Sequence, residues 1–274
     1  MSSIFSGRKG TGPMIDVVVA GAAGRMGREV VKAVTAAPDM RVVAAVDPGW
    51  DGRDIEDGSG APITCTADLS SAIERTRPAV MVDFTRPDVV EGNLRIALAA
   101  GVDCVVGTTG VSAEKLDALA ASAPEGTCLF VAPNFAVGAV LMMRFAAAAA
   151  RYLPHVEIIE LHHDRKLDAP SGTALRTASL IAEQRGEVPG APGPETEVVT
   201  GARGATVDGV SVHSVRLPGL VAHQEVLFGG QGQTLSIRHD SIDRTSFMPG
   251  VLLAVRSVGG CEGLVVGLER FMEE

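Results

Sequence analysis

The 274-residue sequence predicts an α/β protein with a Rossmann-like parallel-sheet domain and an α+β C-terminal domain with a mixed or antiparallel sheet. Two patterns predict this fold class. In the first half, short Val-rich runs alternate with Ala-rich helical segments, as expected for strands buried under helices. In the second half, strand-like runs follow one another without helices between them. The composition agrees, because 46% hydrophobic and 21% charged residues can form a full core.

The first predicted strand, IDVVVAG, is a β-branched apolar run that breaks at a glycine. The segment after it has Met26, Val30 and Val34 at helical spacing, which predicts an amphipathic helix. Strands that alternate with helices imply right-handed crossovers, and therefore a parallel sheet. The predicted strands are 15–21, 40–47, 78–84, 102–110 and 127–135, and the predicted helices are 22–37, 89–101 and 112–123.

The pattern changes after about residue 155. We expect a Pro/Gly-rich loop over 186–196 and a turn at GGQG between the last two strands of this half. The strand-like runs are 156–163, 207–217, 223–230 and 233–241, and the helical run is 171–186. The predicted organisation is a flexible tail (1–13), the parallel-sheet domain (14–135), a second domain (136–245) and a C-terminal segment that returns to the first domain (246–274).

Charge and cysteine usage exclude several classes of protein. A net charge of −9 disfavours general nucleic-acid binding, which normally needs a basic face. The four cysteines lie far apart without a CxxC pair, which is typical of reduced thiols in the cytoplasm. The N-terminus lacks the apolar region of a signal peptide, and the uncharged run 132–143 is too short to span a bilayer. We therefore expect a soluble cytoplasmic protein with no nucleic-acid or membrane partner.

The motif GAAGRMG places glycines at 21, 24 and 27 between the first strand and the first helix. It is a variant of the GxGxxG dinucleotide fingerprint and is weak evidence alone. Its position lets a pyrophosphate bind at the helix N-terminus. Asp47 ends the second strand about twenty residues later, where a carboxylate would accept ribose hydrogen bonds. The alternative is a tight strand–helix turn without a ligand.

The choice between NADH and NADPH depends on the charges near this loop. Asp47 would repel a 2′-phosphate and favours NADH, whereas Arg25 and Arg28 could offset that repulsion for NADPH. We expect NADH to be favoured, and dual use stays open.

Three further loops follow predicted parallel strands, at the edge where such sheets bind ligands: DFTRP (83–87), GTTG (107–110) and APNF (132–135). Each alone is more often an ordinary turn, but together they form one edge where small residues would let a nicotinamide approach the backbone. The predicted cofactor contacts are Gly21, Ala22, Ala23, Gly24, Arg25, Met26, Gly27, Asp47, Phe84, Thr85, Gly107, Thr108, Thr109, Ala132, Pro133, Asn134 and Phe135.

The stretch ELHHDRKLDAPSGTA (160–174) admits several interpretations. A metal site would need His162 and His163 to converge, but adjacent side chains on a strand point to opposite faces, so we expect no metal. A polar loop without function is the plain alternative. The third interpretation is an anion site with a proton donor.

The anion-site interpretation rests on the helix that is predicted to begin near Ser171. Its N-terminus would present the N–H groups of Gly172 and Thr173, together with hydroxyl groups, to a carboxylate. Lys166 adds a cation that could pair with the carboxylate or donate a proton, and an imidazole suits proton delivery at neutral pH. Joined to a dinucleotide domain, such a site predicts a reductase of a small dicarboxylate imine or enamine.

These segments also resemble a known family. ELHHDRKLDAPSGTA is similar to the signature of the bacterial dihydrodipicolinate reductases. The resemblance extends over nearly the whole chain, through GAAGRMG, VDFTRP, GVDCVVGTTG, APNFAVGAVLM, RLPGLVAHQEVLFG and TLSIRHDSIDRTSF. It implies a homotetramer built through the sheet of the second domain, which would bind the substrate. It also implies that NADH or NADPH reduces (2S,4S)-4-hydroxy-2,3,4,5-tetrahydrodipicolinate, with loss of water, in lysine and diaminopimelate biosynthesis.

The resemblance also assigns roles to residues. His162 matches the family's proton donor or acceptor, and Lys166 its proton donor. The matching substrate contacts are His163, Lys166, Gly172 and Thr173, with Ser171 beside them, and the cofactor contacts are 21–26, 47, 107–109 and 132–135. Where family members often carry Glu-Arg, this chain has Asp47-Pro48, which leaves the nucleotide preference open.

Two other functions remain as alternatives. Another Rossmann-type amino-acid or semialdehyde dehydrogenase would share the first domain, but a thioester-forming enzyme needs an activated cysteine, and no Cys lies in such a motif. A non-catalytic NAD-sensing protein would need the cofactor loop but not His162, Lys166 and the Ser-Gly-Thr turn together.

Overall fold

The computed structural model describes residues 13–186 and 196–272. Most of the predicted N-terminal tail (1–12) and of the predicted loop (187–195) lies outside the described residues. The chain divides into two compact units. The first runs up to Phe135 and resumes at Phe247, and the second spans Ala136–Ser246.

The described residues form thirteen strands and seven α-helices. The strands are β1 Ile15–Ala20, β2 Met40–Val46, β3 Asp54–Ile55, β4 Ile63–Thr66, β5 Val80–Asp83, β6 Asp103–Val106, β7 Cys128–Val131, β8 His155–His162, β9 Ala205–Val207, β10 Val210–Arg216, β11 Ala222–Gly230, β12 Gln233–Ser241 and β13 Gly263–Val266. The helices are α1 Arg25–Ala36, α2 Leu69–Thr76, α3 Val90–Ala99, α4 Ala113–Ala121, α5 Val137–Ala150, α6 Gly172–Gln184 and α7 Met248–Ser257.

The first unit is an eight-stranded sheet in the order β13-β7-β6-β5-β1-β2-β4-β3. All pairs are parallel except β3 with β4. Helices cover both faces of this sheet. Helices α2, α3 and α4 pack together on one face, and α1 and α7 pack together on the other. The chain order reverses at β1, between β2 and β5, which is the point where such sheets bind ligands. The predicted Rossmann-like parallel sheet is confirmed.

One face of this sheet buries a large aliphatic cluster. It joins alternate residues of β1, such as Val18 and Ala20, to Leu94 and Leu98 of α3. Burial of strands on both faces explains their near-continuous apolar sequences. The loops at the carboxyl ends of the strands are therefore held on a rigid base.

Three elements between Pro48 and Arg77 were absent from the sequence prediction: β3, β4 and α2. The two strands are short, with two to four residues each, and lie among glycines and acidic residues. Helix α2 is also short, and its start is marked by Asp68, whose side chain accepts a hydrogen bond from Ser71 N at 3.1 Å. Periodicity over so few residues is too weak to predict an element.

The second unit is a five-stranded sheet in the order β12-β11-β8-β10-β9. Strands β8 and β10 are parallel and the other pairs antiparallel, so the predicted mixed sheet is confirmed. Helix α6 lies on one face, where Gln224 of β11 donates to Thr177 Oγ1 at 2.7 Å. Helix α5, which the prediction omitted, packs on α6 and β12. Its sequence VGAVLMMRFAAAAA is apolar almost all round and so lacks a helical period.

The single strand predicted over 207–217 is wrong in extent. It is a hairpin of β9 and β10, turning at Asp208 and Gly209. Both turn residues have positive φ, at 49° and 75°. Asp-Gly is the turn sequence that such a two-residue hairpin favours, and it lay within the run taken as one strand.

The C-terminal segment belongs to the first unit. Strand β13 pairs with β7 in parallel and extends the large sheet at its edge. Helix α7 packs on α1, and Arg256 donates to Asp39 with Nε–Oδ2 at 2.7 Å and Nη2–Oδ1 at 2.9 Å. The last elements of the chain thus complete a sheet that its first residues begin.

Candidate active site

The glycine loop follows β1 and opens α1. Gly21 has φ 77°, a conformation that side chains disfavour. A Cβ on Gly27 would lie 2.0 Å from the Gly21 carbonyl oxygen, so only glycine lets α1 pack on the loop. The N-cap, Gly24, offers no side-chain hydrogen bond, and the first turn contains no acidic residue. An uncapped, acid-free helix start fits a pyrophosphate group.

Asp47 lies against this loop. Its Oδ2 accepts from Ala23 N at 3.1 Å, and its Oδ1 accepts from Gly49 N at 3.0 Å. Each carboxylate oxygen keeps a lone pair for a ribose hydroxyl. The arrangement predicted from spacing is therefore present in geometry, and the loop and the carboxylate together fit the adenosine part of a dinucleotide.

Two arginines stack on one tryptophan beside Asp47. The guanidinium carbons of Arg28 and Arg53 are each 5.0 Å from the centroid of the Trp50 ring. Arg28 Nε also donates to Ala23 O at 2.9 Å. Of the two arginines weighed from the sequence, Arg25 is exposed, whereas Arg28 is anchored to the loop. Arg53 was not considered, because it lies within the segment whose elements the sequence did not predict.

A buried carboxylate ties two of the other predicted cofactor loops together. Asp83 accepts from Thr85 N at 3.0 Å, from Thr108 Oγ1 at 2.8 Å and from Asn93 Nδ2 at 2.8 Å. Thr85 N also donates to Thr108 Oγ1 at 2.8 Å. Asp83 was missed as a functional candidate, although it directly precedes the predicted contacts Phe84 and Thr85.

The third loop meets the first two through aromatic rings. The Phe84 ring lies 5.6 Å from that of Phe135, centroid to centroid. A Cβ on Gly107 would lie 2.0 Å from Phe84 Cε1, so the glycine makes room for a ring of this chain rather than leaving open space. Among the remaining predicted contacts, Ala132 is buried whereas Thr109 and Pro133 are exposed.

In the second unit, the centre of the predicted site is a buried glutamate. Glu160 is fully buried, and its Oε2 lies 2.5 Å from Nδ1 of His162, two residues along β8. Arg216 of β10 pairs with the same carboxylate through Nη1–Oε2 at 2.9 Å and Nη2–Oε1 at 2.8 Å. Burial raises the pKa of the Glu160 carboxyl, but the hydrogen bonds from His162, Arg216 and Ser214 outweigh it and bring the pKa to about 2.

The residues after β8 form a turn that carries Lys166. Lys166 N donates to His163 O at 3.2 Å, and Lys166 Nζ lies 2.8 Å from both carboxylate oxygens of Asp168. The hydrogen bond from Lys166 lowers the pKa of Asp168. Arg216 Nη2 also donates to Asp168 O at 2.7 Å, which links the lysine loop to the Glu160 carboxylate. His163 keeps a buried Nδ1 with no partner among the described residues.

Helix α6 begins where predicted. Ser171 is its N-cap and accepts from Ala174 N at 3.1 Å, so this hydroxyl is buried in the cap. Nothing lies within 4 Å of the position a Cβ would take on Gly172. The helix start at Gly172 and Thr173 is therefore open on the glycine side, where no side chain would block a bound carboxylate. We call this helix start the carboxylate seat.

Glu160, Arg216 and Asp168 were missed in the sequence, for different reasons. Glu160 could have been found, since residues i and i+2 of a strand share a face and His162 was already singled out. Arg216 could not, because its place beside His162 depends on the register of β10 with β8.

Within the described residues, no group of three His, Cys, Asp or Glu side chains could hold a metal ion. In the same residues, no helix is both long enough and apolar enough to cross a membrane.

Comparisons with known proteins cover both units. The family model described as dihydrodipicolinate reductase, N-terminus, matches residues 15–135, and the C-terminus model matches 138–272. The 4-hydroxy-tetrahydrodipicolinate reductase of Moorella thermoacetica is 53% identical over 263 residues, which cover 94% of this chain and 98% of the relative. That of Mycolicibacterium smegmatis is 51% identical over 259 residues, with coverage of 94% and 98%.

Solved structures of other proteins also match this chain. A dipicolinate-bound dihydrodipicolinate reductase from Paenisporosarcina sp. TG-14 matches with a TM-score of 0.81 and 45% identity, covering 94% of this chain and 99% of that one. An amine dehydrogenase from Mycobacterium smegmatis, at 17% identity and a TM-score of 0.64, covers 93% and 95% and shares the fold alone.

Proposed function

Since the chain belongs to the dihydrodipicolinate reductase family, we propose that the segment from the end of β8 to the start of α6 supplies its proton donors and its substrate seat. The reaction reduces (2S,4S)-4-hydroxy-2,3,4,5-tetrahydrodipicolinate to (S)-2,3,4,5-tetrahydrodipicolinate with loss of water, in lysine and diaminopimelate biosynthesis. The bound NADH or NADPH supplies the hydride. One proton is consumed with it, and the substrate hydroxyl leaves as water.

The observation that carries this proposal is the joint presence of His162, Lys166 and an open helix start within one short segment. The His162 side chain is 15% exposed and bonded through Nδ1, so Nε2 is the nitrogen left to exchange a proton with substrate. The Lys166 side chain is 22% exposed, and its ammonium group is held by Asp168. Either group can neutralise the charge that hydride addition leaves on the substrate. We assign both to acid–base work and His163 to substrate contact.

The carboxylate seat is assigned to the N-terminus of α6. Helix dipole and backbone N–H groups favour an anion there, and the missing side chain of Gly172 lets it approach. Dipicolinate, bound by the structural relative from Paenisporosarcina, is a dicarboxylate of the same kind as the proposed substrate.

The cofactor contacts are assigned to the glycine loop with Asp47 and to the three other loops at the carboxyl edge of the large sheet. Asp47 favours NADH, and Arg28 and Arg53 place positive charge near enough to admit NADPH. We therefore propose dual use with NADH favoured.

Turnover tests the proposed reaction. NADH oxidation is followed with substrate made in situ by condensing pyruvate with aspartate semialdehyde, and the expected result is oxidation that depends on both precursors. No turnover above background would overturn the reaction. Cofactor binding without oxidation by any imine substrate would favour an NAD-sensing protein instead.

Gly172→Ala tests the seat separately. The added methyl group meets no atom within 4 Å, so the fold is expected to stay intact, and alanine suits a helix better than glycine. We expect KM for the substrate to rise about tenfold or more with kcat less affected. An unchanged KM would place the carboxylate elsewhere.

We also propose a homotetramer and a cytoplasmic location. The face of the second sheet opposite α6 presents alternate residues of β8 and β11, among them Ile159, Leu161 and Leu227, which are only partly buried. Apolar residues on a face that no described element covers suit contact with another copy. Light scattering should give four times the chain mass, and a monomer would refute the assembly.

A further inference from the structure

The glutamate that precedes the two histidines has no role in the proposed function, yet it is the most buried charged side chain near the site. Glu160 has 0% exposure, although glutamate is seldom fully buried unless paired. We call Glu160, His162 and Arg216 the Glu160 cluster. Both carboxylate oxygens accept hydrogen bonds: Oε2 from His162 Nδ1 and Arg216 Nη1, and Oε1 from Arg216 Nη2. The Ser214 side chain, from β10, donates to the same carboxylate.

We propose that Glu160 is a positioning residue: it holds the proton of His162 on Nδ1, so that Nε2 is the only nitrogen that can exchange a proton with substrate. Arg216 is the counter-charge of Glu160. Through its hydrogen bond to Asp168, Arg216 also holds the loop that carries Lys166. This inference rests on the proposed role of His162. Neither Glu160 nor Arg216 touches substrate, so both act through their neighbours.

The tautomer follows from the chemistry of the carboxylate. An ionised glutamate only accepts hydrogen bonds, so the nitrogen that faces it must be the one that carries hydrogen. Arg216 keeps the carboxylate ionised, because a bidentate guanidinium stabilises the charged form. In each proton transfer, the N–H bond at Nε2 forms or breaks, while the proton on Nδ1 stays where it is.

The effect on the Lys166 loop depends on a second contact of Arg216. Arg216 Nη2 donates to the Asp168 carbonyl at 2.7 Å while it also binds Glu160, and Asp168 holds Lys166 Nζ with its side chain. One guanidinium therefore connects the histidine and the lysine of the same site. Loss of Glu160 would remove the anchor of Arg216 and, with it, part of the order of the Lys166 loop.

The same strand supplies a matched control. Glu157 accepts from His213 Nε2 at 2.8 Å and from Arg203, and we call these three residues the Glu157 cluster. Its parity along β8 places it on the opposite face from Glu160. Glu157→Gln therefore makes the same chemical change to a glutamate–histidine–arginine group outside the site. Because Glu157 shares its face with Ile159 and Leu161, light scattering checks that the variant keeps the wild-type assembly.

The experiment compares wild type, Glu160→Gln and Glu157→Gln by ¹⁵N NMR of histidine-labelled enzyme, with His162→Gln to assign the signals. In wild type, neutral His162 should show a protonated Nδ1 and an unprotonated Nε2. Glutamine offers both a donor and an acceptor, so Glu160→Gln should shift or mix the tautomers, whereas Glu157→Gln should leave the His162 signals unchanged. A protonated Nε2 in neutral wild-type His162 would overturn the proposal without any variant having to fold.

Kinetics supply the second readout. Glu160→Gln should lower kcat by about 10- to 100-fold, as loss of an orienting partner does elsewhere, with KM changed much less.

A wild-type rate in a folded Glu160→Gln would refute the positioning role. Failure of the proposed function is a separate result, since it appears as no turnover by wild type. The tautomer of His162 can be measured without substrate and so decides the inference in either case.

Discussion

Strand β8 contributes one glutamate to each of two glutamate–histidine–arginine clusters on opposite faces, and the two clusters differ in burial and in their neighbours. The carboxylate of the Glu160 cluster is fully buried, whereas the Glu157 side chain is 34% exposed. The pKa of Glu160 is brought to about 2 against the effect of burial, and that of Glu157 is lowered for the same kinds of reason. One cluster adjoins the loop of Lys166 and the other faces away from it.

This comparison teaches that the role of a glutamate–histidine pair depends on burial and neighbours rather than on its members. A buried carboxylate must be fully paired, because an unpaired buried charge is costly. An exposed carboxylate can exchange its partners for water at little cost. The Glu160 cluster is therefore expected to be rigid and specific, and the Glu157 cluster to be replaceable.

The largest expected difference is in catalysis. His162→Ala should lower kcat by about two to four decades, and Lys166→Ala likewise, because each removes a proposed acid–base group. His213→Ala, the equivalent change in the Glu157 cluster, should leave kcat within about twofold in a variant that keeps the wild-type assembly by light scattering. Steady-state kinetics at neutral pH measures all three. Equal losses for His162→Ala and His213→Ala would remove the distinction between the two faces.

Stability gives the next largest difference. Glu160→Ala leaves Arg216 largely buried without its partner and should reduce the free energy of unfolding by about 3 to 5 kcal/mol. Glu157→Ala, which breaks partly exposed contacts, should cost about 1 kcal/mol or less. Urea unfolding followed by circular dichroism measures both values. A small loss for Glu160→Ala would mean that water replaces the missing carboxylate.

The pKa of Glu160 determines whether the folded state loses or gains stability as the pH falls. Because folding lowers that pKa from its ordinary 4.5 to about 2, the ionised carboxylate stabilises the folded state above pH 4.5. This stabilisation, on the order of 3 kcal/mol, is lost as the pH falls towards 2. Urea unfolding at pH 5 and pH 3 should therefore show a smaller acid-induced loss in Glu160→Gln than in wild type. Equal losses would contradict the lowered pKa.

The smallest expected difference between the two clusters is in how salt changes the stability cost of each substitution. The contacts of Glu157 are partly exposed and screened by ions, so the cost of Glu157→Gln should shrink by a few tenths of a kcal/mol between about 0.05 M and 1 M salt. The cost of Glu160→Gln should change less, since buried charges are screened less. The measurement is urea unfolding of each variant at both salt concentrations. A stronger salt effect on Glu160→Gln would indicate that water reaches the buried cluster.

The sequence predicted the strands and helices whose patterns are long or strongly apolar. It predicted β1, β2 and the helix start at Ser171 because local chemistry specifies them: an apolar run that breaks at glycine, and a capping serine. It missed α5, which is apolar all round, and the Asp208-Gly209 turn, which lay inside a longer apolar pattern. Those elements depend on tertiary packing or on turn chemistry that periodicity overlooks.

The candidate site was predictable in its linear part only. His162, Lys166 and Gly172 lie within one segment, and Asp47 follows the glycine loop at a familiar spacing. Arg216 comes from a strand more than fifty positions away in sequence, so only the β8–β10 register reveals it. The ring of Phe84 over Gly107 likewise needs coordinates, because the pattern indicates a glycine but not what fills the space beside it.

The pairing of β13 with β7 has a consequence for the order in which the chain folds. During synthesis, β7 leaves the ribosome well before β13, and the whole second unit is made between them. Until β13 arrives, β7 is an open sheet edge that can pair with a strand of another chain. A nascent or C-terminally truncated chain therefore carries an aggregation hazard that the finished protein conceals, and the last strand protects the first domain as well as completing it.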